Sequence, residues 1–343
     1  MADALRLGST KILKIRDEGG VRTLLPERVS ESETVLVKPN FVDNAPGTYT
    51  DPEALRALFE ALDTRIIVVE GHQLVRCLFQ GETGLPFTVD GKEVDWQWLH
   101  RGGWGWVTRH PDWGWFRDGG HLRHMRKLDQ RYMDEKGLSD LFSEFDAEYV
   151  NVTDEIWGGR VVDPGDVKRV VEERYPLIRE TRIHGFMPRK LAEHRGCPLI
   201  SFAKFKQYAT FTLKNMFGLI PDPIRAWWHG PHDSRQHQSI MDINKLYRSF
   251  FDVVGVCEAL RRTPVHDEDG TLGEPGFRYR VAEDLGLVGT GPDPVQLDSV
   301  LCALGRYPTN ELDMFKAFDG VLGHYDDSLV EKARAASPEW FPG

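Results

Sequence analysis

Two apolar runs flank an amphipathic segment near the start of the chain. Residues 34–42 (TVLVKPNFV) begin as an apolar run that is typical of a strand buried on both faces of a sheet, and the expected strand ends in Pro39 and Asn40. Residues 51–63 (DPEALRALFEALD) place apolar side chains at helical spacing behind Asp51 and Pro52, and this predicts a helix that begins there. Residues 65–71 (RIIVVEG) form a second apolar run. The order predicts a unit of strand, helix and parallel strand.

The same alternation continues further along the chain. Strands are expected at residues 147–154, 197–205 and 250–260, and residues 293–305 (DPVQLDSVLCALG) predict another helix headed by Asp and Pro. Residues 261–280 are rich in turn-forming residues, so we expect a surface loop there.

Alternating strands and helices favour an α/β fold. We predict a mostly parallel sheet flanked by helices, with a tryptophan-rich insertion. We expect a single domain of residues 1–343, which forms one body or two lobes. Residues 1–93 together with residues 147–343 are expected to form its core.

The tryptophan-rich segment, residues 94–146, breaks the alternation. Its W-x-W spacings with intervening glycines predict hairpins or loops, and a charged helix is expected from His121 to Met133. Three interpretations are open: part of the core, a lid over a pocket, or a contact surface for a protein partner or a second copy of the chain. We favour a lid or contact surface outside the core. The tryptophans are Trp96, Trp98, Trp104, Trp106, Trp113 and Trp115.

Composition narrows the class of protein. The 343 residues are 41% hydrophobic and carry a net charge of −10, which argues against a nucleic-acid binder because such proteins have a basic surface. The four cysteines form no CxxC motif, so we expect no metal or iron–sulfur cofactor and a reducing cytoplasm. No apolar run approaches the roughly 18 residues of a membrane span, and the N-terminus lacks the apolar core of a signal peptide.

Lysines interrupt an otherwise apolar and aromatic stretch that begins in the predicted strand of residues 197–205. Buried lysines are rare unless paired, so Lys204, Lys206 and Lys214 are expected either to meet carboxylates or to line a cleft that receives an anion. Lys38 and Asn40 stand at the carboxyl end of the first predicted strand, where open α/β sheets bind ligands. A lysine crowded by other cations can act as a base. We predict catalytic roles for Lys204 and Lys206, and substrate binding by Lys38, Asn40 and Lys214.

Histidines and an asparagine extend this candidate site. His229 and His232 form a His-x-x-His loop that continues into Asp233. Such a loop holds a metal, serves acid/base chemistry or substrate binding, or is structural. We expect no metal; in the second interpretation His229 is catalytic and His232 binds substrate. Asn215 and His72 complete the predicted substrate-binding set.

The order of these motifs resembles the family catalogued as domain of unknown function 362. Members combine a strand ending in VLLKPN, a lysine-rich segment that runs into KN-x-x-G, a histidine and a DPVALD helix. The resemblance covers residues 30–310 and implies a fold and a pocket location more firmly than a reaction. The corresponding motifs are VLVKPN (35–40), VVEG (68–71), KFKQY (204–208), LKNMFG (213–218), His229 or His232, and DPVQLD (293–298).

Several departures from the family pattern bear on function. The ferredoxin-like cysteine cluster of many members is absent, which disfavours electron transfer by this chain. Gln207 and Tyr208 replace the histidine that usually follows the second lysine, and Gly255 stands where relatives often have Asp. The tryptophan-rich segment is not typical of the family.

These residues favour an enzyme that acts on a small anionic metabolite by acid/base chemistry. Clustered cations would stabilise a departing sulfate or phosphate, and a neutral Lys or His would take a proton. Elimination, isomerisation or ring closure in a biosynthetic pathway fits this chemistry. The alternatives are a redox protein that depends on the electron carrier of a partner, and a non-catalytic ligand-binding subunit of a complex.

Overall fold

One large sheet with helices on both faces forms the core of the chain. The computed structural model describes residues 4–15, 18–42, 45–78, 84–101, 103–107, 109–110, 114–206, 209, 211–273 and 276–341. The strands are β1 (Ala4–Leu7), β2 (Thr10–Lys14), β3 (Thr34–Lys38), β4 (Arg65–Glu70), β5 (Phe87–Val89), β6 (Lys92–Val94), β7 (Glu148–Asn151), β8 (Pro198–Lys204), β9 (Asp252–Leu272) and β10 (Arg278–Gly291).

Helices occupy most of the connections between these strands. The α-helices are α1 (Glu27–Ser30), α2 (Pro52–Ala61), α3 (Leu74–Leu78), α4 (Trp96–Arg101), α5 (Trp104–Val107), α6 (Gly114–Asp118), α7 (His121–Glu135), α8 (Leu138–Glu144), α9 (Val152–Trp157), α10 (Pro164–Glu172), α11 (Arg189–Ala192), α12 (Thr212–Asn215), α13 (Arg225–His229), α14 (Gln236–Phe250), α15 (Pro294–Leu304), α16 (Leu312–Phe318) and α17 (Asp327–Trp340). Short 3-10 helices are Glu18–Leu24, Thr181–Phe186, Met216–Leu219, Pro231–Asp233 and Thr309–Glu311. None of the helices in the described part of the chain is long and apolar enough to cross a membrane.

Eight strands of the described residues form the sheet in the order β1-β2-β10-β9-β8-β3-β4-β7. The five strands from β9 to β7 are parallel, and β10, β2 and β1 extend the sheet in antiparallel fashion. This confirms the predicted α/β fold with a mostly parallel sheet flanked by helices.

The order in which the chain adds parallel strands to the sheet reverses between β3 and β8. From β3 the chain moves outward through β4 to β7, returns to β8 on the other side of β3, and continues to β9. Ligands of open α/β sheets bind beyond the carboxyl ends of the strands at such a switch point. β3 ends in Lys38 and β8 ends in Lys204, so two predicted site residues lie at this place.

The sheet separates two apolar layers. The α14 layer contains Leu36 and Leu199 together with side chains of α14 and α15. The α2 layer contains Val37 and Phe202 together with side chains of α2. Successive side chains of a strand point to opposite faces, so β3 and β8 contribute to both layers.

Residues 261–280 are not the surface loop that we expected. β9 and β10 pair antiparallel through this stretch, from Gly255 opposite Gly291 to Leu272 opposite Arg278. A Cβ atom on Gly270 would collide with the backbone of Tyr279, so this glycine permits close strand pairing instead of marking a turn. β9 and β10 are consecutive strands, so the turn between them occupies only the short connection from Leu272 to Arg278, and the other turn-forming residues of the stretch lie within the paired strands.

The tryptophan-rich segment folds into short helices instead of the expected hairpins or loops. The charged helix is present as α7, which begins at His121 as predicted. Trp96 is wholly buried in the α14 layer, and Trp98, Trp106 and Trp115 pack half-buried against the same layer. Trp113 and the side chain of Trp104 lie outside the described residues. The interpretation of residues 94–146 as an insertion with a lid or partner role stays a prediction.

Candidate functional site

Lys38 ends β3 as a buried ammonium group in an ion pair. Its Nζ lies 3.0 Å from Glu70 Oε2, donates to the carbonyl of Pro39 at 2.7 Å and lies 3.3 Å from Asn215 Oδ1. Glu70 also accepts a hydrogen bond from the N–H of Phe41. Burial lowers the pKa of Lys38, and the Glu70 carboxylate opposes this effect. The charge of Lys38 is therefore neutralised by a buried carboxylate.

Lys204 ends β8 between two carboxylates. Its Nζ lies 3.1 Å from Asp51 Oδ2 and 3.1 Å from Glu258 Oε1, and all three side chains are wholly buried. Burial raises the pKa of Glu258, and the charge of Lys204 opposes this effect. Asp51 was expected as the cap of α2, but its side chain makes no cap hydrogen bond. Its carboxylate instead binds Lys204 and Arg262.

Lys206 connects the segment after β8 to the segment after β3. Its Nζ donates to Asn40 Oδ1 at 2.9 Å, and Asn40 Nδ2 donates to the carbonyl of Thr48 at 2.8 Å. The hydroxyl of Tyr307 donates to the backbone carbonyl of Lys206. Lys206 and Asn40 are therefore in contact, as expected for one site. Gln207 and Tyr208 lie outside the described residues.

These lysines share one edge of the sheet but not one face. The alternation along β3 and β8 turns Lys38 toward the α14 layer and Lys204 toward the α2 layer. The structure brings Lys38 together with Asn215, and Lys206 together with Asn40. It separates Lys38 from Lys204 by the sheet. The catalytic and binding roles of these residues stay predictions.

The short helix α12 directs two neighbouring residues to different places. Thr212, the first residue of α12, is held by Asp298 of α15. The Oδ1 atom of Asp298 accepts from Thr212 N at 3.0 Å and from Thr212 Oγ1 at 2.7 Å. Asn215 Nδ2 donates to the carbonyl of Lys38 at 2.8 Å. Lys214 is half-buried, and its charge acts on the histidines of α13 and α14.

Stability is expected to fall as pH rises from about 4 to about 6, through Asp298. Burial raises the pKa of this carboxyl to about 6, although hydrogen bonds from α12 favour its charged form. The folded state then binds more protons than the unfolded state between these values, and the free energy of unfolding should decrease by about 3 kcal/mol across the window. Urea unfolding of wild type and Asp298→Asn across this range measures the slope. A slope that is the same in both proteins would contradict the assignment to Asp298.

His229 ends α13 beside a carboxylate and a cation. Its Nδ1 lies 2.9 Å from Asp233 Oδ1 and 3.0 Å from Gln236 Nε2, and its ring meets Phe217 edge-on at 4.7 Å between centroids. Burial lowers the pKa of His229, Asp233 opposes this, and Lys214 lowers it further. The imidazole is therefore neutral near pH 7. Nδ1 can either donate to Asp233 or accept from the Gln236 amide N–H. Because the hydrogen bond to the charged carboxylate is the stronger of the two, Nδ1–H donates to Asp233 and the lone pair resides on Nε2.

His232 lies apart from this arrangement as an exposed residue in the left-handed region, with φ of 51°. Asp233 turns its carboxylate to His229, and the hydrogen bond lowers the pKa of Asp233. Within the described ranges, no group of three His, Cys, Asp or Glu side chains is arranged to hold a metal ion. The substrate-binding role of His232 stays a prediction.

His72 follows β4 and lies between two carboxylates on the floor of a cleft. Its Nδ1 is 3.0 Å from Asp129 Oδ2, and its Nε2 is 3.0 Å from Asp154 Oδ1. Burial lowers the pKa of His72, and Asp154 opposes this effect. Burial acts to raise the pKa of Asp154, but hydrogen bonds from His72 and Arg126 outweigh it and the pKa is lowered. The cleft has a volume of about 340 Å³ and lies among α7, β7 and α9.

Sequence reasoning missed most of the carboxylates that meet the basic residues. Glu258 left a signal, because it is a charged residue inside the otherwise apolar run of residues 253–260 and such a residue needs a partner. Asp51 was not recognised as a partner of Lys204, because an Asp directly before a helix is typical of a helix cap. Asp129 and Asp154 left no signal, since acidic residues are ordinary in helices with one polar face.

Comparison with known proteins gives a family and no named relative. The family model described as Domain of unknown function (DUF362) matches residues 124–303, which is more than half of the 343 residues. The match begins inside α7 and includes Lys204, Lys206, Lys214 and His229, whereas Lys38 precedes it. Searches of curated proteins and of solved structures find no match. The chain belongs to the DUF362 family, as its motifs predicted.

Proposed function

We propose that the protein is an enzyme that acts on a small anionic metabolite by acid/base chemistry. The observation that supports this most is the His229–Asp233 pair, on which the charge of Lys214 acts. An oriented neutral imidazole is a proton acceptor, and an ammonium group in the same region attracts an anion. Lys206, held by Asn40 at the same edge of the sheet, supplies a second cation.

The reaction that fits these groups best is an elimination. Nε2 of His229 accepts a proton from a carbon of the substrate, and the electron pair of that C–H bond forms a double bond. The C–O bond to a sulfate or phosphate group breaks, and the leaving anion is stabilised by Lys214. Isomerisation or ring closure would use the same proton acceptor. The proposal is a lyase or cyclase of a biosynthetic pathway in the cytoplasm.

Lys38 and Lys204 are assigned other roles than Lys214, because buried carboxylates already neutralise their charges. Lys204 can serve as a base only after it transfers its proton, and Glu258 is a suitable acceptor because burial raises its pKa. Lys38 and Asn215 then orient the turn that carries Lys214. The tryptophan-rich segment remains a candidate lid, or a surface for a protein partner or a second copy of the chain.

Mass spectrometry of a fractionated pool of small anionic metabolites tests the proposal. Wild type should convert a component to a product that lacks sulfate or phosphate, or to an isomer of equal mass. His229→Gln should lower the rate by about 10²–10⁴-fold, the usual contribution of a general base. Lys214→Met should raise KM because it removes an anion-binding group. Lys332→Met, which removes an exposed lysine of α17, is the matched control and should change neither.

Three outcomes would argue against the proposal. Conversion that survives in His229→Gln would place the base elsewhere. Binding of a component without conversion would favour the non-catalytic ligand-binding subunit. Conversion that depends on an added electron donor would favour the redox alternative.

A further inference from the structure

We propose that the cleft above His72 is a second small-molecule site, which binds a ligand bearing a carboxylate or phosphate group more tightly when His72 is protonated. This inference is independent of the proposed function at His229. It rests on a cleft of about 340 Å³, a volume within the usual range for small-ligand pockets, about 300–1,000 Å³. His72 follows β4 and Asn151 ends β7, so the floor of the cleft lies at the carboxyl ends of two parallel strands, where ligands of α/β sheets bind.

The hydrogen-bond geometry at the floor gives His72 two states. Asn151 has a fixed orientation, because its Oδ1 accepts from the N–H groups of Thr153 and Asp154. Its Nδ2 therefore faces His72 Nδ1 at 3.1 Å, while Asp129 Oδ2 lies 3.0 Å from the same nitrogen. Neutral His72 accepts from Asn151, and protonated His72 donates to Asp129. In both states Nε2–H donates to Asp154.

The rim supplies cations that a ligand can reach. The side chains of Arg126, Arg160 and Lys190 are about half exposed, at 45%, 54% and 48%. Arg126 uses its Nε for Asp154 at 2.6 Å, and its two terminal nitrogens make no hydrogen bond with the described residues. A guanidinium group has five N–H donors in a fork that matches an oxyanion. Arg126 can therefore hold Asp154 and a ligand oxyanion together.

The charge of the cleft depends on His72. Three cations and three carboxylates line it, so it is neutral with neutral His72 and carries a charge of +1 with protonated His72. Arg76 lies behind the floor and pairs with Asp129, and Lys190 also pairs with Glu148. The polar groups facing His72 and the cleft are Arg76 of α3, Arg126, Asp129 and Gln130 of α7, Tyr149 and Asn151 of β7, Asp154 and Glu155 of α9, Arg160, and Lys190 of α11.

The direction of the pH effect follows from this charge. Burial places the pKa of His72 below its ordinary value of about 6.5. A bound anion stabilises the protonated ring and should raise that pKa, and by linkage the affinity should rise as pH falls. The ligand affinity is therefore expected to be weak at neutral pH and to increase as the pH falls below the ordinary histidine pKa of about 6.5.

Titration with inorganic phosphate and with L-malate tests the site, with histidine side-chain NMR as the readout and His72→Gln to assign the signal. Saturating ligand should raise the titration midpoint of His72 by about one pH unit, which corresponds to tenfold tighter binding to the protonated ring. The two ligands distinguish a phosphate site from a carboxylate site. Arg126→Gln should weaken binding about tenfold, the loss of one charge-assisted contact. His229→Gln should leave this binding unchanged, which separates the cleft from the proposed active site.

Arg123→Gln is the matched control, because Arg123 is an exposed arginine of α7 outside the cleft lining, and it should bind like wild type. If neither ligand moves the His72 midpoint, the site does not exist. Equal affinities in Arg126→Gln and Arg123→Gln would also overturn the proposal. Arg126 is at the rim, so this comparison holds even if His72→Gln fails to fold.

Discussion

Replacing Lys204 with methionine is expected to lower the free energy of unfolding by about 3–5 kcal/mol, because it leaves buried carboxylates without their cation. Lys204 lies 3.1 Å from both Asp51 and Glu258, and no side chain of the three is exposed. Methionine keeps the length of the side chain, so packing loss contributes little. Urea unfolding at neutral pH measures the effect.

The control for Lys204→Met is Lys168→Met. Lys168 pairs with Glu172 at 3.7 Å on the exposed face of α10, and an exposed pair contributes less than about 1 kcal/mol. Adding Glu258→Gln to Lys204→Met should restore part of the lost stability, since it removes one uncompensated charge. If Lys204→Met is as mild as Lys168→Met, the buried ion pairs do not stabilise the edge of the sheet as described.

Replacing Trp96 with alanine is expected to lower the free energy of unfolding by about 3–5 kcal/mol, the usual cost of truncating a buried aromatic side chain. Trp96 is wholly buried. Its ring stacks on Phe116 at 5.8 Å between centroids, and its Nε1 donates to His121 Nδ1 at 3.0 Å. The truncation would leave a cavity and an unsatisfied histidine nitrogen.

Trp98→Ala provides the comparison for Trp96→Ala. Trp98 belongs to the same aromatic group but is half-buried, with Phe87 at 6.2 Å, so its truncation should cost clearly less. Thermal and urea unfolding of both variants measure the difference. Equal small losses would show that the tryptophan-rich segment packs on the surface and stabilises the core little.

The sequence predicted the parallel part of the fold because its signals are local. A strand buried on both faces must be continuously apolar, and the helix of residues 293–305 carries its own cap: Asp293 accepts from Val295 and Gln296 in the structure. The family motifs depend in the same way on short runs of residues. The lysines were also visible locally, since charged groups in apolar runs need partners.

The sequence by itself determined the α/β class, the family and the position of Lys38 and Lys204 at strand ends. Only the tertiary structure decided that Asp51 and Glu258 neutralise Lys204, that β9 and β10 pair through a stretch rich in turn residues, and that His72 lies between Asp129 and Asp154. Local patterns depend on side-chain periodicity within one element. The strands β9 and β10 are neighbours in sequence, and they add to the sheet between β8 and β2. Ion pairs and clefts instead depend on which distant residues meet, and the packing of the whole chain determines that.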